Sequence, residues 1–578
     1  MHEPSIQPIN SQNLDRMVHA WLGRLTHGIS PAALAVAGFD WATHLALYPG
    51  KQAELAEKAW RKWVRFVHYS ARAAQPGVPP CIEPLPQDTR FDDPEWQYWP
   101  FNLTYQAFLL HQQWWHNATT GVRGVSEHHE HVVNFTSRQL LDMVSPSNFM
   151  LTNPVVLNTT LMEGGQNLLQ SALNMVSDWM DSVEGRKSPE ARAFQVGRDV
   201  AVTPGKVVYR NRLIELIQYA PATGAVHPEP VLIIPSWIMK YYILDLSPHN
   251  SMVKYLVEQG HTVFMVSWKN PGEQDRDLGM DDYLRLGVMA AIDAIGTLVP
   301  DSKIHATGYC LGGTLLAIAA AAMSRDNDPR LASLTLLATE LDFQEPGELA
   351  LFIDESQVTF LEDIMWDRGY LDGRQMGGAF MLLNSKDLIW SRMVRTYLMG
   401  RRDGMNDLMA WNADTTRMPY HMHREYLRTL YLKNDLAEGR YLVDDHPVAL
   451  SDIRVPIFAV ATVKDHVSPW RSVYKIHLLT DTPVTFVLTN GGHNAGIVSE
   501  PGHHGRQFQM TTRGDHEKYM PPEAWQAGAP ASEGSWWPAW HQWLAARSGT
   551  PGQPPAQGAP EKGLPALGPA PGTYVLES

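Results

Sequence analysis

Cysteine is almost absent from this chain, which has only Cys81 and Cys310 among its 578 residues. Two thiols cannot form the disulfide framework of a small secreted domain, and this scarcity is typical of a reducing compartment. The opening segment, MHEPSIQPINSQNLDR, also lacks the basic start and apolar core of a signal peptide. We therefore expect a cytoplasmic protein.

Long apolar runs and basic segments are missing as well. The longest apolar run extends from Leu311 to Met323, too short to span a membrane, so no transmembrane segment is expected. Lys and Arg number 47 against 61 Asp and Glu, and no stretch concentrates the positive charge that phosphate binding requires. Nucleic acid is therefore not an expected partner. With 44% hydrophobic and 19% charged residues, the composition is that of a folded globular protein.

The N-terminal part of the sequence, residues 1–190, has helical periodicity and no strand-rich stretch. Apolar residues recur there at spacings of three and four, so we expect an all-helical region. The predicted helices are Asn13 to Leu25, Lys51 to Ala73, Asn102 to Thr119, Glu127 to Met143 and Asn158 to Ser182.

Short β-rich runs begin near Val207 and alternate with helical segments, a pattern that predicts a parallel sheet covered by helices. This α/β domain is expected to span residues 191–547. The β-rich runs are Val207 to Tyr219, Val231 to Ser236, His261 to Trp268, Lys303 to Tyr309, Leu331 to Thr339, Val455 to Thr462 and Val484 to Asn490.

Two segments depart from this alternation. Residues 340–454 are mostly helical in pattern and rich in Trp, Tyr and Met, which favours a lid over an apolar pocket, although a second structural lobe has the same pattern. The tail, residues 548–578, is rich in Pro and Gly. It is predicted to be an extended strap or disordered, with its last residues, TYVLES, docking on the domain.

The segment Gly308-Tyr309-Cys310-Leu311-Gly312-Gly313 lies where a predicted strand meets a predicted helix. A strand, a G-x-nucleophile-x-G turn and a helix form the nucleophile elbow of α/β hydrolases, in which glycines permit the close approach of neighbouring backbone. Cys310 would lie at a helix N-terminus, whose partial positive charge favours the thiolate. An isolated G-x-C-x-G turn also fits a small buried cysteine without catalytic function.

Two later strand ends supply partners for Cys310. Asp465 follows the run that ends at Thr462, and His493 follows the run that ends at Asn490. Alone, Asp465 fits a helix cap and His493 an ordinary loop histidine. The order nucleophile, Asp, His is that of the α/β hydrolases, so we predict a triad. His466 is the competing base, but it adjoins Asp465 in sequence, so its side chain should point away.

A catalytic thiol indicates thioester substrates, because acyl exchange between a thioester and cysteine is nearly thermoneutral and keeps the acyl group activated. The oxyanion of the tetrahedral intermediate is expected to accept from the Leu311 backbone N–H. A second N–H is predicted in the loop after Val231 to Ser236, at Trp237 or Ile238.

These residues and motifs resemble the single-subunit poly(3-hydroxyalkanoate) synthases, most closely the class I type that polymerises short-chain 3-hydroxyacyl-CoA. The resemblance extends from about residue 90 to the end. The motifs that carry it are FDDPEW (91–96), DMVSPSNF with TNP (142–154), FQVGRDVAVTPGKVVY (194–209), KYYILDL (240–246), VEQGHTVFMVSWKNP (257–271), GYCLGG (308–313), WNADTTRMP (411–419), KDHVSPW (464–470), GGHNAGIV (491–498), GSWWPAW (534–540) and the ending APGTYV.

The resemblance implies that Cys310, Asp465 and His493 are the triad of an α/β-hydrolase domain with a lid. It also implies a helical N-terminal region for dimer and granule association, activity as a homodimer, and residence on polymer granules in the cytoplasm. The substrate would be a hydroxyacyl-CoA and the product a growing polyester chain. One departure lies at PSWIM (235–239), where many relatives carry a Pro-Pro-x-Ile-Asn stretch, and it affects the second oxyanion donor.

The sequence is also compatible with three other functions. An intracellular polyester depolymerase or an acyl-CoA thioesterase would use the same triad, and a granule-coat protein would retain the fold without activity.

The segment Glu127-His128-His129-Glu130-His131 resembles a metal-binding run, but no second cluster accompanies it, so no metal is expected. No nucleotide-binding glycine pattern is present, so no cofactor is expected and CoA enters as leaving group.

Overall fold

A computed structural model describes residues 11–75, 77–184, 193–383, 385–402 and 404–578. Its α-helices are α1 (Ser11–Leu25), α2 (Pro31–Leu47), α3 (Pro49–Ser70), α4 (Phe101–Thr119), α5 (Glu127–Met143), α6 (Pro154–Met162), α7 (Gln166–Val183), α8 (Met252–Glu258), α9 (Met280–Asp282), α10 (Ala290–Leu298), α11 (Leu311–Arg325), α12 (Glu355–Arg368), α13 (Gly373–Leu383), α14 (Arg392–Tyr397), α15 (Asp407–Asn412), α16 (Tyr420–Glu425), α17 (Trp470–Tyr474), α18 (Ile476–Leu479), α19 (Pro522–Gly528) and α20 (Trp537–Ala545).

The strands form one large sheet and two small two-stranded sheets. The strands are β1 (Gly205–Arg210), β2 (Ile214–Tyr219), β3 (Val231–Ile234), β4 (Val263–Trp268), β5 (Ile304–Tyr309), β6 (Leu331–Leu337), β7 (Tyr370–Leu371), β8 (Met418–Pro419), β9 (Leu442–Val443), β10 (His446–Pro447), β11 (Ile457–Thr462), β12 (Val484–Thr489), β13 (Gln507–Arg513), β14 (Ala531–Glu533) and β15 (Gly568–Pro569).

The large sheet has the order β14-β13-β12-β11-β6-β5-β3-β4-β2-β1-β15. Its centre, from β12 to β4, is parallel, and the strands outside it pair antiparallel. The central strands are buried along almost their whole length, as expected for strands covered by helices on both faces. Their carboxyl ends therefore meet at one edge of the sheet, where β5, β6, β11 and β12 each lead into a loop.

The chain folds into two compact units that are interleaved in sequence. The described residues of Met1–Gly28, Glu190–Gln375 and Met405–Ser578 form the sheet unit. Those of Ile29–Pro189 and Met376–Gly404 form the helical unit. The predicted regions were consecutive, whereas α1 belongs to the sheet unit and packs on α12, with His19 Nδ1 2.7 Å from Asp363 Oδ2.

The helical unit has its own aromatic core, in which Phe91, Trp96, Tyr105 and Phe108 pack together. Arg90 lies beside this core and donates to Asp88 Oδ2 at 2.8 Å and to Asp142 Oδ1 at 2.7 Å. A buried guanidinium is tolerated because two carboxylates compensate its charge.

In the sheet unit, α11 carries the longest apolar run and is buried from Leu311 to Met323. The apolar run therefore forms a core helix. Among the described residues, no helix is long and apolar enough to cross a membrane.

The C-terminal tail folds against the sheet. Its strand β15 pairs with β1, and the Glu215 carboxylate accepts from the backbone N–H groups of Thr573 and Tyr574 at 2.8 and 3.0 Å. Lys240 Nζ donates to the Glu577 carbonyl at 2.5 Å. The tail is thus an ordered strap, as one of the two predicted alternatives proposed, and its last residues dock on the sheet unit.

Buried neutral histidines make the stability of the sheet unit sensitive to acid. Burial, together with the smaller effect of neighbouring histidine charges, lowers the pKa of His261 to about 3. Burial likewise lowers the pKa of His305 to about 4. Because both folded-state values lie below the ordinary value of about 6.5, the unfolded chain binds more protons as the pH falls through this window.

We expect the free energy of unfolding to decrease between pH 6.5 and pH 4, by about 2 kcal/mol per histidine at pH 5. Urea denaturation across this range measures it. His261→Gln should flatten the pH profile, and a profile of constant stability from pH 7 to pH 5 would contradict the burial of neutral imidazoles.

Candidate active site

Cys310 lies at the sharp turn between β5 and α11. Its backbone has φ 53° and ψ −126°, a conformation rare for a residue with a side chain and typical of a nucleophile elbow. The Cys310 N–H donates to the Leu337 carbonyl at 2.9 Å, and its own carbonyl accepts from the Gly313 N–H at 2.8 Å. The neighbouring strand and the first turn of α11 therefore hold the elbow.

The glycines of the elbow allow close backbone contact. A Cβ on Gly312 would collide with the carbonyl oxygens of Ile234 and Pro235, and a Cβ on Gly308 would collide with the Gly313 backbone. These atoms are main chain and cannot rotate away, so only glycine fits.

Gly312→Ala should displace the elbow and lower the acyl-transfer rate by about 10²-fold or more, since even a 1 Å displacement of reacting groups costs that much. Gly296→Ala is the matched control, because Gly296 lies exposed in α10 with no atom within 4 Å of an added Cβ. That control should raise stability by about 0.5–1 kcal/mol. Steady-state rates and thermal melts compare the two, and equal rates would contradict the close packing of the elbow.

Asp465 and His493 lie together at the ends of β11 and β12. His493 Nδ1 is 2.8 Å from Asp465 Oδ2, and the Asp465 side chain is fully buried. Asp465 Oδ2 also accepts from Thr462 Oγ1, and Oδ1 accepts from the N–H groups of Val467 and Ser468 at 2.9 and 2.8 Å. Four donors therefore fix this carboxylate in the orientation that holds the imidazole.

The electrostatics of the pair favour a charged imidazolium. Burial alone lowers the pKa of His493, but the charges of Asp465 and Cys310 and hydrogen bonds to both raise it well above its ordinary value. Burial raises the pKa of Asp465, whereas the charge and hydrogen bond of His493 and the backbone donors lower it below its usual range. The arrangement therefore stabilises the imidazolium form of His493.

The loop that carries His493 is held by tryptophans of the GSWWPAW motif. Trp536 Nε1 donates to the Gly496 carbonyl at 3.1 Å, and Trp537 Nε1 donates to the Ile497 carbonyl at 3.0 Å. Tyr309 supports the same loop, because its hydroxyl donates to Asn494 Oδ1 at 2.6 Å. Sequence reasoning did not assign Tyr309 a function, although its place next to Cys310 is a signal for one.

The predicted oxyanion donors lie on two sides of the elbow. Leu311 is the first residue of α11, where a backbone N–H has no intrahelical acceptor. The loop with Trp237 and Ile238 follows β3, whose end packs on Gly312. The Ile238 N–H is 3.3 Å from Ser236 Oγ, and Thr416 fixes the loop by donating to the Trp237 carbonyl at 2.6 Å. Their function as oxyanion donors stays a prediction.

His466, the competing base, has a structural contact through its backbone. Its carbonyl accepts from the Glu348 N–H at 3.2 Å. The histidine hydrogen bond to Asp465 that the predicted triad requires comes from His493.

The histidine run at the start of α5 pairs within the helical unit. His129 Nδ1 is 2.6 Å from Asp40 Oδ2, so one face of the run is tied to α2. In the part of the chain that the structure describes, no group of three or more His, Cys, Asp or Glu side chains is arranged to hold a metal ion.

Comparison with known proteins places this chain in a family. Residues 87–256 match the family model "Poly-beta-hydroxybutyrate polymerase (PhaC) N-terminus", and residues 10–51 match "Poly-beta-hydroxybutyrate polymerase N terminal". The poly(3-hydroxyalkanoate) polymerase of Methylorubrum extorquens is 42% identical over 502 residues, which cover 86% of this chain and 82% of that protein. The chain belongs to the poly(3-hydroxyalkanoate) polymerase family.

Other members of the poly(3-hydroxyalkanoate) polymerase family give the same result. The Cupriavidus necator polymerase subunit PhaC is 34% identical over 563 residues, covering 96% of this chain and 93% of that protein. The Rhizobium etli subunit is 37% identical and covers 86% of this chain and 78% of that protein. Residues 229–500 match the α/β hydrolase fold model, which confirms the predicted fold class. The polymerase relatives confirm the predicted poly(3-hydroxyalkanoate) synthase family.

Proposed function

We propose that this protein polymerises (R)-3-hydroxyacyl-CoA into a poly(3-hydroxyalkanoate), releasing CoA and carrying the growing chain as an acyl-Cys310 thioester. Family membership makes it an acyltransferase of polymer synthesis. The observation that carries the finer proposal is the thiol elbow at Cys310, placed at the same sheet edge as a hydrogen-bonded His493 and Asp465 pair.

In the first step, His493 takes the Cys310 proton and the thiolate attacks the thioester carbonyl. The raised pKa of His493 supports this step, because it favours the imidazolium that forms. The N–H of Leu311 and one from Trp237 or Ile238 would stabilise the oxyanion. CoA then leaves with the proton and Cys310 carries the acyl group.

In the second step, the 3-hydroxyl group of another hydroxyacyl-CoA attacks acyl-Cys310. An ester forms, the thioester bond to Cys310 breaks, and the released thiolate recovers the hydroxyl proton through His493. The chain, one unit longer, then stands on CoA, and the thioester exchange of the first step returns it to Cys310. We assign deprotonation of that hydroxyl to His493. Both oxygens of Asp465 already accept hydrogen bonds, and its side chain is fully buried, so this carboxylate has little capacity to take up the hydroxyl proton. Asp465 instead orients the imidazole and stabilises its charge.

Polymerisation instead of hydrolysis requires that water be kept from the acyl-enzyme. Two tyrosines of the 340–454 insertion, Tyr426 and Tyr431, lie near enough to Cys310 for its charge to raise their pKa values. The Tyr426 hydroxyl donates to the Tyr431 hydroxyl at 3.1 Å, and the Phe343 ring packs 4.7 Å from Tyr431. We propose that this insertion is the lid that excludes water.

We further propose that 3-hydroxybutyryl-CoA is the main substrate, on the class I motif resemblance. We propose a cytoplasmic homodimer that resides on polymer granules, bound through the helical unit. Support comes from that unit's large exposed apolar side chains, which a polyester surface would cover. They include Leu161, Met162, Leu169, Leu173, Val176, Trp179 and Val183.

The test supplies purified protein with 3-hydroxybutyryl-CoA and with a longer 3-hydroxyacyl-CoA, then measures CoA release and collects the product. Insoluble polyester from the short substrate supports the proposal. Free hydroxy acid would assign the protein to thioesterases instead. Degradation of added polyester without synthesis would identify a depolymerase, and granule binding without CoA release would favour a coat protein.

A further inference from the structure

A buried carboxyl group lies beside the triad and has no function in the steps above. Glu340 follows β6, whose last residue accepts a hydrogen bond from the Cys310 backbone N–H. The Glu340 carbonyl accepts from Thr314 Oγ1 at 2.8 Å, which ties this turn to the first turn of α11. Glu340 is only 4% exposed, and its Oε1 is buried with no hydrogen-bond partner among the described residues.

Glu340 interacts electrostatically with two tyrosines and with the nucleophile Cys310. Burial raises the pKa of Tyr431 above its ordinary range, and the negative charges of Glu340 and Cys310 raise it further. Burial and Tyr431 raise the pKa of Tyr426, with the same two charges contributing. Cys310, Glu340 and the two tyrosines therefore share one electrostatic neighbourhood.

The setting of Glu340 favours the protonated form of its carboxyl group. Burial raises the pKa of its carboxyl well above the ordinary value, and the charges of Asp465 and Cys310 add to the effect. A neutral carboxyl group donates one hydrogen bond and accepts others, without repelling the thiolate. An unpartnered buried polar group costs free energy, so a ligand that supplies the missing partner is favoured there.

We propose that Glu340 binds the 3-hydroxyl group of the acyl substrate and thereby selects hydroxyacyl thioesters over unsubstituted ones. This inference rests on the proposed function and adds a specificity residue to it. The thioester carbonyl is already assigned to the donors at Leu311 and the β3 loop. The hydroxyl two carbons away is the remaining polar group of the acyl chain, and Glu340 follows β6, the strand next to β5 and its Cys310 elbow.

The test measures kcat/KM for CoA release in the acylation step with 3-hydroxybutyryl-CoA and with butyryl-CoA. Glu340→Leu should lower kcat/KM for 3-hydroxybutyryl-CoA about 10- to 100-fold. The reason is that a site built to bind a hydroxyl group no longer prefers the hydroxylated substrate once its own polar group is removed. The value for butyryl-CoA should stay equal or rise. Glu340→Gln, which keeps a donor and an acceptor, should retain most of the preference.

The matched control is Asp342→Asn, two residues along the same turn. Asp342 already has partners, because its Oδ1 accepts from the Gln344 N–H at 2.9 Å and lies 3.6 Å from Lys475 Nζ. Asp342→Asn should change kcat/KM for the two substrates by the same factor. The melting temperature of Glu340→Leu should not fall, since replacing an unpartnered buried polar group by an apolar one is neutral or stabilising.

Equal losses on both substrates in Glu340→Leu, or an unchanged preference, would overturn the assignment of Glu340 while leaving the proposed function intact. Failure of the unmodified protein to release CoA from any 3-hydroxyacyl-CoA would overturn the proposed function, and this inference with it.

Discussion

Cys310→Ala is expected to lower CoA release from 3-hydroxybutyryl-CoA by at least about 10⁴-fold. The physical reason is that alanine removes the only nucleophile at the elbow while the backbone of β5 and α11 stays in place. Cys310→Ser keeps the shape but offers a hydroxyl, which is a much weaker nucleophile at neutral pH. Its rate should therefore also fall, and single-turnover CoA release measures all three proteins.

Cys81 provides the control for this experiment, because it is the other cysteine of the chain and lies in the helical unit. Burial raises the pKa of the Cys81 thiol, so it should be the less reactive of the two. Cys81→Ala should retain full activity and full inactivation by iodoacetamide. Residual activity above a few per cent in Cys310→Ala would contradict covalent catalysis by this thiol.

Asp465→Asn is expected to slow acylation and elongation by the same factor, about 10³- to 10⁴-fold. Asparagine removes the charge that most strongly raises the pKa of His493, so the imidazolium is destabilised in both steps. His493→Gln should cause a loss at least as large, because it removes the base itself. CoA release in a single turnover reports acylation, and polymer mass per acylated enzyme reports elongation.

Asp481→Asn is the control for these variants, since Asp481 is exposed just before β12 and lies at the opposite end of that strand from His493. It should behave like the unmodified protein. Selective loss of elongation in Asp465→Asn, with acylation preserved, would show instead that Asp465 deprotonates the substrate hydroxyl.

Sequence patterns located helices best where capping and periodicity agree. Helix α5 begins and ends as predicted, because Ser126 accepts from the His129 N–H and fixes its start. The predicted helix Asn158 to Ser182 is instead two helices, since Gly164 and Gly165 both have positive φ and interrupt a periodicity that continues across them. Helix α2 was missed because its Ala-rich segment lacks polar contrast, although Ser30 and Pro31 give a start signal.

The sequence patterns did not predict which strands pair when they are far apart in the chain. The β-rich run 207–219 is a hairpin, β1 and β2, and the tail supplies β15 beside it. Nothing in a Pro- and Gly-rich segment reveals which strand it will join. The sequence did predict that Cys310, Asp465 and His493 each follow a strand of the sheet, and the structure places each of them after its own strand. Their function as a catalytic triad stays a prediction. Glu340 was missed, although a lone glutamate directly after a buried apolar strand is itself a signal.

The most direct test of the account is to identify the atom that carries the acyl group. Protein mixed with 3-hydroxybutyryl-CoA is quenched in acid within one turnover, digested and mapped by mass spectrometry. A mass increase of one or more hydroxybutyryl units is expected on the peptide that contains Cys310, and this increase should be absent in Cys310→Ala. An acyl group on another residue, or polymer formed with no acylated peptide, would contradict it.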